Sequence, residues 1–139
     1  MSNAPDNSDT LQTWTWAQPW ENWGLVPVSG ELEIQMANSD GTARALLLYK
    51  KFGLDVIRFG AGKGVATHTH EGDHILLVLK GEGFVEYNGV DHGLHPGMAY
   101  MVPGSVPHAI KATSELVMLA IANDHRPAWS PERLEIVEK

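Results

Sequence analysis

The chain has 139 residues, 43% of them hydrophobic, which is the size and composition of one globular domain. Its net charge of −7 and its lack of a basic run argue against a nucleic-acid partner, and its lack of cysteine excludes disulfides and thiolate ligands. A cysteine-free chain fits a cytoplasmic protein. The polar start, residues 1–10, lacks the apolar core of a signal peptide, and no apolar stretch approaches the roughly 18 residues of a membrane span.

The start of the chain divides into two parts. Residues 1–12 are rich in Asn, Ser and Asp and are expected to be disordered, so that residues 13–139 form a single barrel domain. Four of the five tryptophans lie between Trp14 and Trp23. They form either extra core laid over the barrel or a lid or dimer contact, because tryptophan is enriched at interface hot spots. We therefore expect a homodimer.

Short apolar segments separated by turn residues fill the rest of the chain, a pattern typical of an all-β sandwich or barrel. Residues 38–41, Asn-Ser-Asp-Gly, predict a hairpin turn. Ser130 and Pro131 predict the start of a short helix. The predicted strands are 31–37, 43–49, 54–59, 65–70, 74–80, 84–87, 93–95, 98–102, 106–111 and 116–122.

Histidines supply the strongest chemical signal. His68 and His70 are two residues apart, so on a strand their side chains project from the same face, and His74 joins them if that strand continues through residues 71–73. His108 follows a Pro-Gly turn and can supply a further ligand. Neutral imidazole is the commonest metal ligand in proteins and suits zinc, copper, iron and nickel. The regular spacing favours a metal site over four unrelated surface histidines.

The glycines and prolines around these histidines carry a family resemblance. Two stretches resemble the two motifs of the cupin superfamily: Gly62-x5-His68-x-His70-x3-His74-x6-Gly81 and Gly97-x5-Pro103-x4-His108. The resemblance implies a double-stranded β-helix, or jelly-roll barrel, that holds one divalent metal ion per chain.

Two positions depart from the family pattern. His74 stands where cupins usually carry a glutamate, and Met98 stands where the second motif usually has an aspartate. Histidine is itself a good ligand, so the chain resembles the four-histidine subgroup of cupins. That resemblance implies an ion held by His68, His70, His74 and His108. Manganese, iron and zinc are known in the subgroup, and nickel and copper stay open because imidazole also suits them.

The resemblance and the neutral ligand set indicate a metal-dependent enzyme acting on a small, metal-chelating substrate that carries oxygen atoms. A dioxygenase-type oxidoreductase is expected first, because neutral ligands leave the ion its full charge and open positions. Two alternatives stay open, since one barrel hosts many functions. They are a non-redox lyase, isomerase or polyketide-cyclase-like enzyme, and a metal-containing binding or sensing cupin.

Other polar side chains are candidates for roles beside the metal. A histidine bound to the ion cannot act as a base, so proton transfer falls to the substrate, to bound hydroxide or to a pocket residue. Tyr100 is the candidate catalytic residue on this argument, and Arg58 and Tyr49 also lie on predicted strands. The remaining histidines are expected to be exposed: His92, His95 and His125.

Overall fold

Every regular element that the computed structural model describes is a β-strand, and the expected all-β architecture is confirmed. The described residues are 34–124, 130 and 134–137, and this part of the chain holds no helix long and apolar enough to cross a membrane. Its strands, in chain order, are β1 (Ile34–Gln35), β2 (Thr42–Tyr49), β3 (Phe52–Phe59), β4 (Gly64–Thr69), β5 (Asp73–Lys80), β6 (Gly83–Tyr87), β7 (Val90–Leu94), β8 (Ala99–Pro103), β9 (His108–Ala112), β10 (Leu116–Ala122) and β11 (Glu135–Ile136).

The strands form two antiparallel sheets that enclose one interior. The six-stranded sheet has the order β1-β2-β3-β10-β5-β8, and the five-stranded sheet has the order β11-β4-β9-β6-β7. Strands far apart in sequence are therefore neighbours: β10 lies between β3 and β5, and β9 lies between β4 and β6. This pairing is that of a jelly-roll barrel, so the fold expected from the two motifs is confirmed.

Side-chain alternation gives the six-stranded sheet two apolar faces. On the face toward the other sheet, Phe59, Leu116 and Met118 are at most 1% exposed and form the main core. A second buried cluster belongs to the alternate positions: Leu46, Val56, Leu79 and Val117. Strands buried on both faces carry near-continuous apolar runs, and this explains the uninterrupted apolar stretches of the sequence.

The hairpin turn predicted at residues 38–41 is present, and a second tight turn follows at Asn88 and Gly89. Met36 N–H donates to the Gly41 carbonyl across 2.9 Å, which closes the turn between β1 and β2. Asn88 and Gly89 join β6 to β7 with φ of 49° and 84°. Two consecutive left-handed residues match the twist of an antiparallel hairpin, which is why Asn-Gly is a strong hairpin signal.

The condition under which His74 would share a strand with His68 and His70 is not met, and the chain breaks between the two strands predicted at 65–70 and 74–80. β4 ends at Thr69 and β5 begins at Asp73. Between them Gly72 has a φ of 74°, a left-handed conformation that interrupts the extended chain. Since β5 belongs to the other sheet, His74 lies on the opposite wall from His68.

Several strand ends also differ from the prediction. β3 begins at Phe52, β7 covers Val90–Leu94, and β9 begins at His108. Pairing partners determine these ends: Phe52 pairs with Tyr49 across a turn in which Lys50 has a φ of 52°. The local sequence carries little information about strand pairing, because the partner strand comes from another part of the chain.

Some expectations fall outside the described residues and stay predictions. They are the disorder of residues 1–12, the domain boundary at residue 13, the exposure of His125, and the helix expected to continue from Ser130 through residues 131–133. The homodimer expected from the Trp14–Trp23 segment and the cytoplasmic location also stay predictions.

Candidate metal centre

His68 and His108 form a buried cross-strand pair. They lie opposite each other on β4 and β9, each is 4% exposed, and their ring centroids are 4.2 Å apart. Each Nδ1 lies against the backbone carbonyl two residues earlier, at 2.8 Å from Ala66 O and 2.7 Å from Val106 O. We assign Nδ1–H as the donor in both bonds, which leaves the Nε2 lone pair of each ring available to a metal ion.

His70 joins this pair from the residue directly after β4. Its Nε2 lies 3.1 Å from Nε2 of His108, and its Nδ1 lies 3.2 Å from the Glu71 carbonyl oxygen. The ligand nitrogens of His68, His70 and His108 all lie within 4.8 Å of one another. The three rings therefore present nitrogen atoms to one common point.

His74 approaches the same point from β5 of the opposite sheet. Its Nδ1 lies 3.1 Å from Nε2 of His70, and the two ring centroids are 4.4 Å apart. The left-handed turn at Gly72 folds the chain back and produces this approach. The four histidines therefore lie close together, with His74 reaching His70 from the opposite sheet.

The nitrogen separations fit a metal ion. Once the Nδ1–H groups of His70 and His108 donate to carbonyl oxygens, their two Nε2 lone pairs face each other across 3.1 Å. Facing lone pairs repel unless a cation lies between them. Two imidazole nitrogens about 2.1 Å from one ion and at right angles to each other lie about 3.0 Å apart. The histidine triad can therefore hold a divalent cation of the kind that takes imidazole ligands.

Gly104 fixes the loop that carries His70. Its carbonyl accepts the His70 N–H at 2.9 Å, and its own N–H lies 3.1 Å from both Gly72 O and the Asp73 Oδ1. A Cβ at position 104 would collide with the His70 ring and with the carbonyl oxygens of His70 and Gly72. The Pro103-Gly104 turn therefore positions His70, and it also precedes His108 along the chain.

Burial also favours the neutral, metal-binding form of one ligand. Burial lowers the pKa of His108, and a positive charge on His70 lowers it further, while the hydrogen bond to Val106 opposes both effects. A neutral imidazole is the form that binds metal. The buried ring is therefore ready to act as a ligand at neutral pH.

The histidines line an interior cavity of about 60 Å³ between the sheets. Tyr100 also lines it, with its hydroxyl 3.7 Å from the Met118 sulfur, and burial raises the pKa of this phenol well above its usual value of 10. The phenol therefore stays protonated. Most of the remaining wall is apolar: Met36, Ile57, Phe59, Val65, Leu76, Val85, Val102, Ile110, Ala120, Ala122 and Leu134.

The structure also shows acidic residues that the sequence analysis missed. Asp55, Glu71 and Asp124 line the same cavity. Asp55 had a usable signal, because it is a single carboxylate in the apolar strand that contains Val56 and Ile57. In contrast, Arg58 and Tyr49 are not among the cavity residues, and Tyr49 is 36% exposed. The expected exposure of His92 and His95 is observed.

Comparison with known proteins places the chain in a family. Residues 55–122 match the model of the cupin domain. A cupin superfamily protein from Desulfitobacterium hafniense DCB-2 has the same fold, with a TM-score of 0.56 and 26% identity over 64% of this chain and 82% of that chain. The chain belongs to the cupin superfamily. The resemblance carried by the two motifs is thereby confirmed.

Other proteins similar to this cupin differ in function. The dimethylsulfoniopropionate lyase DddW of Ruegeria pomeroyi is 34% identical over 62 residues, which are 45% of this chain but only 41% of the relative. The polyketide cyclase RemF of Streptomyces resistomycificus has a TM-score of 0.66 and 20% identity over 79% of this chain and 82% of that chain. A salicylate 1,2-dioxygenase variant of Pseudoaminobacter salicylatoxidans has a TM-score of 0.57 and 22% identity over 60% of this chain and 25% of that chain. The two structures are similar in fold alone.

Proposed function

We propose that this cupin is a metal-dependent enzyme acting on a small substrate that carries oxygen atoms. The observation that carries the proposal is the convergence of the imidazoles of His68, His70 and His108, with that of His74 beside His70, at the wall of a largely apolar interior cavity. His68, His70, His74 and His108 hold one divalent ion, for which iron, manganese, zinc, nickel and copper are the candidates. When bound, such an ion supplies Lewis-acid polarisation of substrate oxygen atoms.

The walls of the cavity determine what the chain itself adds. Apolar side chains such as Ile57, Leu76 and Val102 exclude water, which strengthens electrostatic interactions inside the cavity. Tyr100 keeps its proton and can donate a hydrogen bond to a substrate oxygen atom. The cavity therefore combines a dry interior, a buried hydrogen-bond donor and a metal ligand set without net charge.

We place non-redox proton-transfer chemistry first, as in a lyase or a cyclase. Tyr100 supports this choice, because a buried phenol that stays protonated can donate a hydrogen bond to a substrate oxygen on which negative charge develops. The similarity to DddW, named a lyase, and to RemF, named a cyclase, supports it as well. This order reverses the one expected from the sequence, in which a dioxygenase came first.

A dioxygenase is the second candidate. Four neutral nitrogen donors leave room on an octahedral ion for further ligands, which suits a substrate that chelates through two oxygen atoms. The fold similarity to a salicylate 1,2-dioxygenase fits the same interpretation. A binding or sensing role is the remaining alternative, because cupin barrels support several functions.

One experiment separates these candidates. The metal-free protein is loaded in turn with zinc, iron and manganese and mixed with small carboxylates, diketones and catechols, under air and under argon. We expect substrate loss that is equal in both atmospheres and absent from the His68→Ala/His108→Ala variant. Turnover only under air, with oxygen consumed at an electrode, would establish the dioxygenase instead. Metal-dependent binding without turnover in either atmosphere would establish a binding protein.

A further inference from the structure

Asp55 occupies a defined place on the cavity wall. On the six-stranded sheet it lies opposite Ala120 of β10, which lies opposite Leu76 of β5, which in turn lies opposite Tyr100 of β8. These residues form one row across four strands, and all of them line the cavity. The next row contains His74, opposite Ala122. Asp55 is therefore one row along and two strands away from a histidine of the metal centre.

The space between Asp55 and the histidines is open because the inward side chains of β10 are large at one end of the strand and small at the other. Its inward residues are Leu116 and Met118 toward one end and Ala120 and Ala122 toward the other. The two alanines border Asp55 and His74 respectively. A small substrate bound at the histidines can therefore extend toward the carboxylate across the two methyl groups.

When the imidazoles of the metal centre hold an ion, none of them is free to accept a proton from the substrate. Position 74 carries an imidazole where cupins usually have a glutamate, and the Nδ1–H groups of His68 and His108 are donated to backbone carbonyls. Tyr100 stays protonated, so it can donate but not accept. Among the residues that line the cavity, proton acceptance therefore falls to the three carboxylates.

Position distinguishes these carboxylates. Glu71 is exposed, and Asp124 follows β10 beside the turn at Gly72, so both lie at the mouth. Asp55 lies inside the barrel, where its Oδ1 is buried and its inward neighbour along β3 is Ile57. A carboxylate in this position can reach a substrate carbon away from bulk water, which would otherwise compete as the proton acceptor.

We propose that Asp55 is the catalytic base of this site, taking a proton from a substrate carbon next to a carbonyl or carboxylate group. The C–H bond breaks, the proton passes to a carboxylate oxygen of Asp55, and the electron pair remains on the substrate as its enolate. The substrate class is thus a small carbonyl or carboxylic acid compound with an acidic C–H. This inference rests on the proposed function, and it assigns to Asp55 the role that a glutamate at position 74 could have filled.

Pyruvate tests the proton transfer, because it offers two oxygen atoms to a metal and has exchangeable methyl protons. The metal-loaded protein is placed with pyruvate in D₂O, and loss of the methyl signal is followed by proton NMR. We expect Asp55→Asn to slow exchange by about 100-fold or more, the usual contribution of a positioned base. Metal content and the Kd for pyruvate should be unchanged. The matched control is Asp91→Asn, an exposed aspartate of β7 outside the cavity, which should exchange at the wild-type rate.

Oxalate gives a readout that needs no turnover. It resembles the enolate of pyruvate, so it should bind preferentially when Asp55 already carries the proton. Calorimetry in buffers of different ionisation enthalpy should show about one proton taken up per oxalate bound by the wild type, and none by Asp55→Asn. The other titratable groups that line the cavity are the four histidines, Tyr100, Glu71 and Asp124, and they are unchanged in this comparison.

The outcomes separate the two proposals. Wild-type exchange that Asp55→Asn leaves unchanged, or oxalate binding without proton uptake by the wild type, overturns the assignment of Asp55. In that case metal-dependent binding of both ligands still supports the proposed function. If neither pyruvate nor oxalate binds better to the metal-loaded protein than to the metal-free protein, the proposed function fails as well.

Discussion

The two walls of the barrel contribute different chemistry to one cavity. The five-stranded sheet carries His68 and His108, with His70 directly after β4, and hydrogen bonds to backbone carbonyls fix these rings. The six-stranded sheet contributes Asp55 and Tyr100 in addition to a single histidine. In the proposed function, the first wall supplies most of the ligands to the ion, while the second supplies the proton acceptor and the hydrogen-bond donor that act on the substrate.

This difference predicts unequal effects for two substitutions of the same kind. His108→Ala removes a buried ligand whose partner nitrogen lies 3.1 Å away, and we expect metal affinity to fall by more than about 100-fold. Removing a residue that only hydrogen-bonds to a ligand lowers metal affinity by about 10–100-fold. Removing the ligand itself should therefore lower metal affinity by more than that range. His74→Ala leaves the triad of the other wall intact and should cost less. Metal content after dialysis against a chelator measures both losses, and equal losses would contradict the division between the walls.

The second largest effect is expected where the backbone supports the histidines of the first wall. Gly104→Ala places a methyl group against the His70 ring and two carbonyl oxygens. We expect a loss of about 1–3 kcal/mol in the free energy of unfolding, typical of overpacking, together with weaker metal binding. Denaturant unfolding and metal titration measure these effects.

Gly93→Ala is the matched control for this substitution. It introduces the same methyl group on β7, where nothing lies within 4 Å of the added carbon. Its effect on stability should stay within about 0.5 kcal/mol. If Gly104→Ala behaves like this control, the turn does not position His70.

The sequence predicted the histidine set but not the path of the chain between its members. Spacing alone places His68 and His70 on one face, because alternate residues of a strand share a face. His74 would join them on one strand only if that strand continued through residues 71–73, but Gly72 turns the chain across to the other sheet. His74 nevertheless lies beside His70, so the grouping of the histidines could be predicted without the path of the chain between them.

The position of Asp55 inside the barrel could not be predicted from the sequence. Its neighbours in the cavity come from β10, β5 and β8, which are separated from β3 along the chain. Strand facing and cross-strand register depend on pairing with distant segments, so a single acidic residue in an apolar strand cannot be placed inside or outside from local pattern. For the same reason Tyr100, Tyr49 and Arg58 were equivalent candidates before the sheets were known.

A smaller effect concerns pH and the first wall. Burial lowers the pKa of His108 below its usual value of 6.5. In the unfolded chain this histidine takes up a proton as the pH falls through about 6.5, whereas the folded chain holds it neutral to lower pH. The unfolded state then binds more protons, so the free energy of unfolding of the metal-free protein should decrease as the pH falls below that value.

Denaturant unfolding of chelator-treated protein between about pH 8 and pH 5 measures this dependence. His108→Gln should flatten it, whereas His92→Gln, an exposed histidine of β7, should leave it unchanged. A wild-type stability that rises as the pH falls from 7 toward 5, with no such rise in His108→Gln, would contradict the predicted direction.

The smallest effect on binding and stability is expected on the second wall. Tyr100→Phe removes a hydroxyl that donates a hydrogen bond to the Met118 sulfur across 3.7 Å. A thioether is a weak acceptor, so this hydrogen bond contributes little. Stability should change by less than about 1 kcal/mol, and metal content should not change. Turnover should nevertheless fall by about 10²–10³-fold, because burial raises the pKa of Tyr100, so the phenol keeps its proton and can donate a hydrogen bond to negative charge that develops on a substrate oxygen. Parallel measurement of Tm, metal content and kcat tests this separation. Loss of metal together with activity would show that Tyr100 supports the ligands, and the two walls would then not divide binding from proton transfer.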